Sequence, residues 1–443
     1  MSSQLPVAII GGGPVGLAAA AHLVKKGESF IIFESGEKVG ASVLEWGHVR
    51  MFSPWQYNMD KVARELLEAS GWKSPNGELL PTGLELVKEY LLPLSQLPQI
   101  QNQILLQAKV VGITRKGIDK LKTINRDQLP FQIYVEVGEE TKVFEAKAII
   151  DASGTWRSPN PTLSNGLWTK AERNLQDKIY YGIPNIPEMK DRYVNKTIMV
   201  VGSGHSAINA LLDVASLKDT YPATTIYWVL RKTNVASVYG GQENDQLPAR
   251  GELGIRIQRL VESENIKVIT PFYIEQLKMN GDKVTVIGEL EGEEVSFHDV
   301  DEIIVSTGFR PDTSFSSEVR ISLDDSVESV KALAPLIDPN VHSCGTVRPH
   351  GEAELRQPEK DFYIVGMKSY GRAPTFLLAT GYEQVRSVVA YMTGDFTGAK
   401  EVQLELPETG VCSTGITQKQ SESSSCCGSG PVKLEIKTST CCG

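Results

Sequence analysis

The sequence predicts an α/β chain of two Rossmann-like units, the second inserted in the first, followed by a flexible cysteine-rich tail. Three observations predict it. Pro6–Ile10 is a short apolar run that enters Gly11-Gly12-Gly13-Pro14-Val15-Gly16, continues as an alanine-rich helical stretch to Lys26, and is followed by a second apolar run ending at Glu34. The same order returns at Thr197–Val201, Gly202-Ser203-Gly204-His205-Ser206-Ala207 and the run ending at Arg231-Lys232. After Gly398 the composition turns to Ser, Thr and Gly, and five of the six cysteines lie there.

The first unit reads as strand, glycine turn, helix and strand, with Gly27 closing the helix. Residues 60–125 read as mostly helical, interrupted by a Pro81-Thr82-Gly83 turn. Strands are expected at Phe131–Val137 and Lys142–Ile150, the second ending at Asp151-Ala152-Ser153-Gly154. A Pro/Asn-rich connector, Ser158–Asn165, leads to the second unit. Further strands are expected at Val284–Ile287, Asp301–Ser306 and Phe362–Val365, and a helix from about Thr375 to Met392. These assignments give a first unit at 1–165, an inserted unit at 166–300, the return of the first at 301–398 and a tail at 399–443.

Composition narrows the classes. The formal net charge is −9, which repels phosphate backbones and anionic lipid heads and argues against nucleic-acid or membrane-surface partners. The longest apolar stretch, Val7–Val24, is broken by three consecutive glycines and a proline, whereas a membrane span needs about 20 uninterrupted apolar residues. No basic residue precedes it as in a secretory leader. A cytoplasmic protein is expected, and a homo-oligomer is left open. Cys344 is the first cysteine, so an internal dithiol relay within residues 1–343 is excluded.

Each glycine of the first motif has a task. Gly11 turns the chain out of the strand, Gly13 admits a pyrophosphate to the backbone, and Gly16 lets helix and strand approach. Pro14 opens the helix, whose free N–H groups attract phosphate. Glu34, 23 residues past Gly11, suits ribose hydroxyls and repels a 2′-phosphate; Ser35 follows it. This site suits FAD or NAD. In the second motif Gly202, Gly204 and Ala207 repeat the pattern, with His205 and Ser206 beside the expected pyrophosphate. Arg231 and Lys232 stand where the first unit is acidic, and a guanidinium pairs well with a 2′-phosphate. The contrast places FAD in the first unit and NADPH in the second.

Two such motifs 191 residues apart, with Asp151-Ala152-Ser153-Gly154-Thr155 and Ser306-Thr307-Gly308-Phe309-Arg310-Pro311-Asp312 closing strands, resemble the two-dinucleotide-fold flavoproteins. The resemblance covers roughly residues 5–395. It implies that Ser153, Gly154, Thr307, Gly308 and Gly366 lie at the cofactors, although the Gly-Asp pair expected at Gly366 is absent. His48–Trp55, Pro81-Thr82-Gly83 and Tyr370–Phe376 resemble flavin-containing monooxygenases, especially the single-component type of bacterial arsenic-resistance operons. Flavin-containing monooxygenases carry FxGxxxH before the second glycine motif; here Tyr180-Tyr181-Gly182 approximates the start and Ile186 stands at the histidine position.

The resemblance implies an NADPH-dependent FAD monooxygenase that uses molecular oxygen on a small, soft substrate such as a trivalent arsenical. Arg50, Ser53, Asn58 and Arg372 are the candidates for the flavin edge, where an amide or guanidinium donates to a flavin oxygen. Trp46, Trp55 and Trp156 read as core aromatics ahead of cavity walls. Cys412, Cys426, Cys427, Cys441 and Cys442 offer soft thiolate ligands for a thiophilic ion, the last four in two identical Cys-Cys-Gly triplets. Two other readings stay open: a reductase passing electrons to these thiols or to a bound metal(loid), and a non-catalytic redox-sensing or sequestering flavoprotein.

Overall fold

The computed structural model describes residues 5–245, 247–340, 350–374 and 376–404. All six cysteines, and with them the metal-binding expectation for the tail, lie outside the described residues.

The first unit opens with β1 (Val7–Ile10), helix α1 (Pro14–Lys26) and β2 (Phe30–Phe33). Leu17, Ala18, Ala19, Ala20 and Ala21 of α1 are completely buried. The small alanine side chains let the helix lie close on the sheet, while Leu17 and Leu23 supply apolar area, each about 2 kcal/mol on full burial. Gly27, at φ 72°, ends α1 in the left-handed conformation that costs glycine least. Helix α2 (Lys61–Ala69) follows, capped by the Asp60 carboxylate, which accepts the Ala63 N–H.

The chain then runs through β3 (Ile104–Leu105), β4 (Ala108–Arg115), β5 (Phe131–Val137), β6 (Glu140–Ala146) and β7 (Ala148–Asp151). Here the structure corrects the helical expectation for residues 60–125. Residues 104–105 and 108–115 are strand, and in the second Ala108, Val110 and Ile113 are buried and Lys109 and Val111 exposed, so the tertiary contact that decides the segment is an alternating face. The strand expected at Lys142–Ile150 is divided between two sheets at Lys147.

The second unit contains β8 (Ile179–Tyr181), β9 (Thr197–Val201), α3 (His205–Ser216), β10 (Thr225–Val229), α4 (Pro248–Glu262) and β11 (Lys267–Ile269). An antiparallel sheet of β12 (Phe272–Asn280), β13 (Lys283–Leu290) and β14 (Glu293–Val300) precedes β15 (Glu302–Val305). The chain returns to the first unit as β16 (Phe362–Ile364) and α5 (Leu378–Met392).

The two parallel sheets have matching orders, β16-β7-β1-β2-β3 and β8-β15-β9-β10-β11. Each carries its own three-stranded antiparallel sheet, β4-β5-β6 or β12-β13-β14, inserted between corresponding strands. Because β15 belongs to the second sheet, that unit runs past the boundary expected at residue 300. In both sheets the order reverses at the strand that enters the glycine turn, β1 or β9. Such switch points are where open α/β sheets bind ligands.

Candidate active site

At the first switch point, Gly11 leaves β1 at φ 102°, and a Cβ there would lie 2.7 Å from the Ala152 carbonyl oxygen. Only glycine fits so close to the exit of β7. A Cβ on Gly16 would meet the Gly11 carbonyl oxygen at 2.0 Å, so α1 starts directly against the turn. Gly13, by contrast, has nothing within 4 Å of a Cβ position. That open ground sits at the cap of α1, with Pro14 as the first helical residue and unbonded N–H groups beyond it.

The Glu34 carboxylate is buried and is the hub of this turn. Its Oε2 accepts the Gly12 N–H and its Oε1 the Gly36 N–H, both at 2.7 Å, and Ser35 lies alongside at 3.5 Å. Each oxygen keeps lone-pair capacity for a hydroxyl donor.

The second turn repeats the geometry. Gly202 has φ 136°, and a Cβ on it would lie 2.3 Å from the Ser306 carbonyl oxygen at the exit of β15. Ala207 packs against the same turn, and Gly204 again faces nothing within 4 Å. His205 and Ser206 are the first two residues of α3. His205 is packed between the units, its ring 5.2 Å from that of Phe52. Burial first, then the nearby Arg250 guanidinium, pushes its pKa down to about 4, so the ring is neutral at neutral pH.

Register refines the acid-to-base contrast. Ile10 pairs with Phe33, and Val201 with Val229. Glu34 therefore corresponds to Leu230, which is buried, and Arg231 corresponds to Ser35. The expectation that Arg231 occupies the acidic position is corrected by one residue: the acid is replaced by an apolar side chain, and the cation follows it. Arg231 is exposed and reaches the Ser164 carbonyl at 3.2 Å, and the exposed Lys232 lies beside it.

Two linkers join the turns. One leaves β7 through Ser153 and Gly154, the other leaves β15 through Thr307 and Gly308. They run antiparallel: Asn160 N–H donates to the Gly308 carbonyl, Arg310 N–H to the Ser158 carbonyl, and the Thr307 hydroxyl lies 3.4 Å from the Asn160 and Pro161 carbonyls. Ser153 and Gly308 are exposed on this ladder.

The flavin-edge candidates do not converge. Asn58 is completely buried; its amide donates to the Ser53 and Pro54 carbonyls and its Oδ1 accepts the Ser53 hydroxyl. Both amide hydrogens are spent inside the 53–58 loop, so neither Asn58 nor Ser53 has a donor left for a flavin oxygen. Asn58 acts there as a loop hub, and its own carbonyl accepts the Tyr382 hydroxyl. Arg50 is exposed, donates to the Leu80 carbonyl and faces Glu85. Arg372 is also exposed, and its guanidinium has no partner among the described residues. Trp55 is core, whereas Trp46 and Trp156 are partly exposed.

Sequence reading missed two buried networks at the first site. Lys368 and Asp151 form a fully buried ion pair at 2.7 Å, and the ammonium also reaches the Ser153 hydroxyl at 3.0 Å. They fasten the ends of β7 and β16 beside the first turn. Gly366, at φ 69°, donates its N–H to Gln384 Oε1, and the Gln384 amide bonds Ser369 and His350. A lone lysine inside the largely apolar run Tyr363–Tyr370 was the available signal.

The sequence pattern of the pyridine nucleotide-disulphide oxidoreductase family matches residues 8–343. The chain belongs to this family. A ferredoxin–NADP reductase of Lactobacillus johnsonii is 24% identical over 345 residues, covering 76% of this chain and 85% of that one. Among solved structures, the bacillithiol disulfide reductase Bdr (YpdA) of Bacillus cereus superposes with a TM-score of 0.65 at 17% identity, covering 88% of this chain and 99% of the other. The FAD-bound cadaverine monooxygenase DfoA of Erwinia amylovora gives 0.63 at 10% identity, covering 92% and 98%. The fold is thus the one shared by these reductases and monooxygenases, and the chain is an FAD- and NADP(H)-dependent oxidoreductase. Among the described residues no helix is long and apolar enough to cross a membrane, and no group of three or more His, Cys, Asp or Glu is placed to hold a metal ion.

Proposed function

We propose that the chain is an NADPH-dependent FAD monooxygenase acting on a small, soft, thiophilic molecule such as a trivalent arsenical. The observation that carries the reading is chemical. This family member has no cysteine before Cys344, so residues 1–343 offer no dithiol to receive electrons from a flavin. The residues present fit both nucleotides. Open ground at Gly13 and Gly204 admits the two pyrophosphates to helix N-termini, Glu34 accepts ribose hydroxyls, and Arg231 with Lys232 meets the 2′-phosphate.

When bound, FAD supplies the hydride acceptor for NADPH and the electron donor to oxygen. The chain's own part is positional. Ser153, Gly154, Thr307 and Gly308 carry the linkers that set the distance between the two turns, the Gly366–Gln384 bond ties the exit of β16 to α5, and the neutral His205 ring closes the NADPH helix against Phe52. Arg372 remains a guanidinium available to orient an anionic group, whereas Arg50 is engaged by the Leu80 carbonyl and Glu85. Cys412, Cys426, Cys427, Cys441 and Cys442 would capture a thiophilic substrate.

Oxygen labelling tests the reading. NADPH-reduced enzyme mixed with ¹⁸O₂ and a trivalent arsenical is expected to place one labelled atom in the product, with NADPH and oxygen consumed in equal amounts. Equal turnover under argon with a disulfide or ferredoxin as acceptor, and no label in product, would reject it. That outcome would favour the second reading, a reductase, which the name of the Lactobacillus relative supports.

A further inference from the structure

The exits of β7 and β16 are already joined by the backbone: Ile364 pairs with Asp151, and the Val365 N–H donates to the Asp151 carbonyl at 2.9 Å. The fully buried Lys368–Asp151 ion pair is not needed to align them. Nor is such a pair a strong source of stability. Taking both charges out of water costs about as much as their attraction returns, and apolar side chains of the same volume commonly do as well. What sets this pair apart is what else the ammonium touches.

Lys368 has three N–H donors. One goes to Asp151 Oδ2 at 2.7 Å and another reaches the Ser153 hydroxyl at 3.0 Å. Ser153 opens the linker that leaves for the second unit, and its own hydroxyl donates to Asp151 Oδ1 at 2.7 Å. The ammonium also stands 4.3 Å from the centre of the Phe315 ring, a cation–π contact closed to water. Phe315 belongs to the segment that arrives from the second unit along the other linker. The outgoing and returning linkers thus meet on one nitrogen.

The turn that carries Lys368 meets the returning linker a second time. The Gly371 N–H donates to the Lys368 carbonyl at 3.1 Å, and a Cβ on Gly371 would lie 2.3 Å from the Ser329 backbone nitrogen, so the turn packs directly on residues 327–329. There Glu328 is ion-paired with Arg310 of the returning linker. Arg310 is itself a rung of the ladder, its N–H donating to the Ser158 carbonyl at 2.8 Å.

We infer that Lys368 is a positioning residue for hydride transfer from NADPH to FAD: it sets the placement of the two linkers, and through them the approach of one nucleotide turn to the other. Hydride transfer needs near-contact, and a misplacement of about 1 Å caused far from the chemistry can lower a rate about a hundredfold. The inference rests on one nucleotide standing at each glycine turn, as proposed above, and is independent of the final electron acceptor.

The test separates burial of charge from placement of the linkers. K368M leaves the Asp151 carboxylate buried without its partner and is expected to fold poorly. The K368M/D151N double variant, with both charges removed, is therefore measured as full-length holoenzyme. It is expected to match the parent in FAD content and NADP⁺ affinity, while flavin reduction at saturating NADPH slows about a hundredfold. Amide hydrogen exchange, followed by mass spectrometry, is expected to rise in residues 153–162 and 306–316 and to stay at the parent level in both parallel sheets. F315L keeps the ion pair and loses only the ring. It is expected to slow reduction about tenfold, the scale of one desolvated cation–ring contact, with the same local rise in exchange. If the double variant loses FAD, F315L carries the comparison alone. A parental reduction rate in these variants, or exchange that rises through the whole first unit, would make the pair a structural brace and overturn the inference. Failure of NADPH to reduce the parent itself would instead reject the nucleotide assignment, and exchange in the linkers would still decide whether Lys368 governs them.

Discussion

The two nucleotide units follow one chain plan and part company at the residues beside the glycine turns. Strand order, helix start, inserted antiparallel sheet and the carbonyl packed against the first glycine all correspond. At the end of the second strand, however, the first unit places a buried carboxylate that ties Gly12 and Gly36 together, and the second places buried Leu230 followed by exposed Arg231. In the second unit the turn is braced by an indole: Trp228 N–H donates to the Gly202 carbonyl. The nucleotide choice we propose thus rests on two adjacent positions of a common scaffold, and in the first unit the proposed selecting group also holds the turn.

The largest separation between the units is expected from their first glycines. Both sit at positive φ against a carbonyl oxygen, and a side chain there costs about 1–3 kcal/mol in backbone conformation before any overlap is counted. G11A is expected to purify without flavin colour. G202A is expected to keep FAD and to lose reduction by NADPH, measured by anaerobic mixing. If both variants lose FAD alike, the units are not separable in the way their geometry implies.

Glu34 comes next. E34A leaves two N–H donors without their charged acceptor, a loss of about 3 kcal/mol, so FAD affinity is expected to fall more than a hundredfold in a reconstitution titration. E34Q keeps one acceptor and is expected to fall between. The matching change in the second unit is milder because Arg231 is exposed and holds no turn. R231A is expected to lower the preference for NADPH over NADH by about tenfold to a hundredfold, one charge-assisted phosphate contact, with FAD content unchanged. An unaltered preference would show that the 2′-phosphate is read elsewhere.

These groups were legible in the sequence because glycines at a turn, an acid after a strand and a cation in its counterpart are local chemistry with fixed spacing. The one-residue displacement of Arg231 was not legible, since the loop between α3 and β10 differs in length from its counterpart and only the strand register resolves it. The 104–115 strands were hidden for a similar reason: β3 is two residues long, and β4 declares its face only against β5. Asn58 looked like a pocket amide because residue type says nothing about which carbonyls lie nearby. The Lys368–Asp151 pair joins residues 217 positions apart, and no local pattern announces such a partner.

The smallest expected difference lies at the first residue of the two nucleotide helices, Pro14 in one unit and His205 in the other. Proline does not titrate. His205 is held near pKa 4, against 6.5 for the free ring, by burial and by Arg250, with Asp245 pulling weakly the other way. Between these values the unfolded chain binds the proton and the folded chain does not. The stability this residue contributes is therefore intact above pH 6.5 and declines as pH falls toward 4, reaching a loss of about 2 kcal/mol at pH 5. Protonation would also set an imidazolium beside Arg250 at the contact with Phe52, so the second unit is where acid should act first. H205Q is expected to flatten that part of the pH profile, measured as urea midpoints at pH 7 and pH 5, while leaving the midpoint at pH 7 nearly unchanged. An identical decline in H205Q would mean that another group, and not the helix start of the NADPH unit, sets the acid sensitivity.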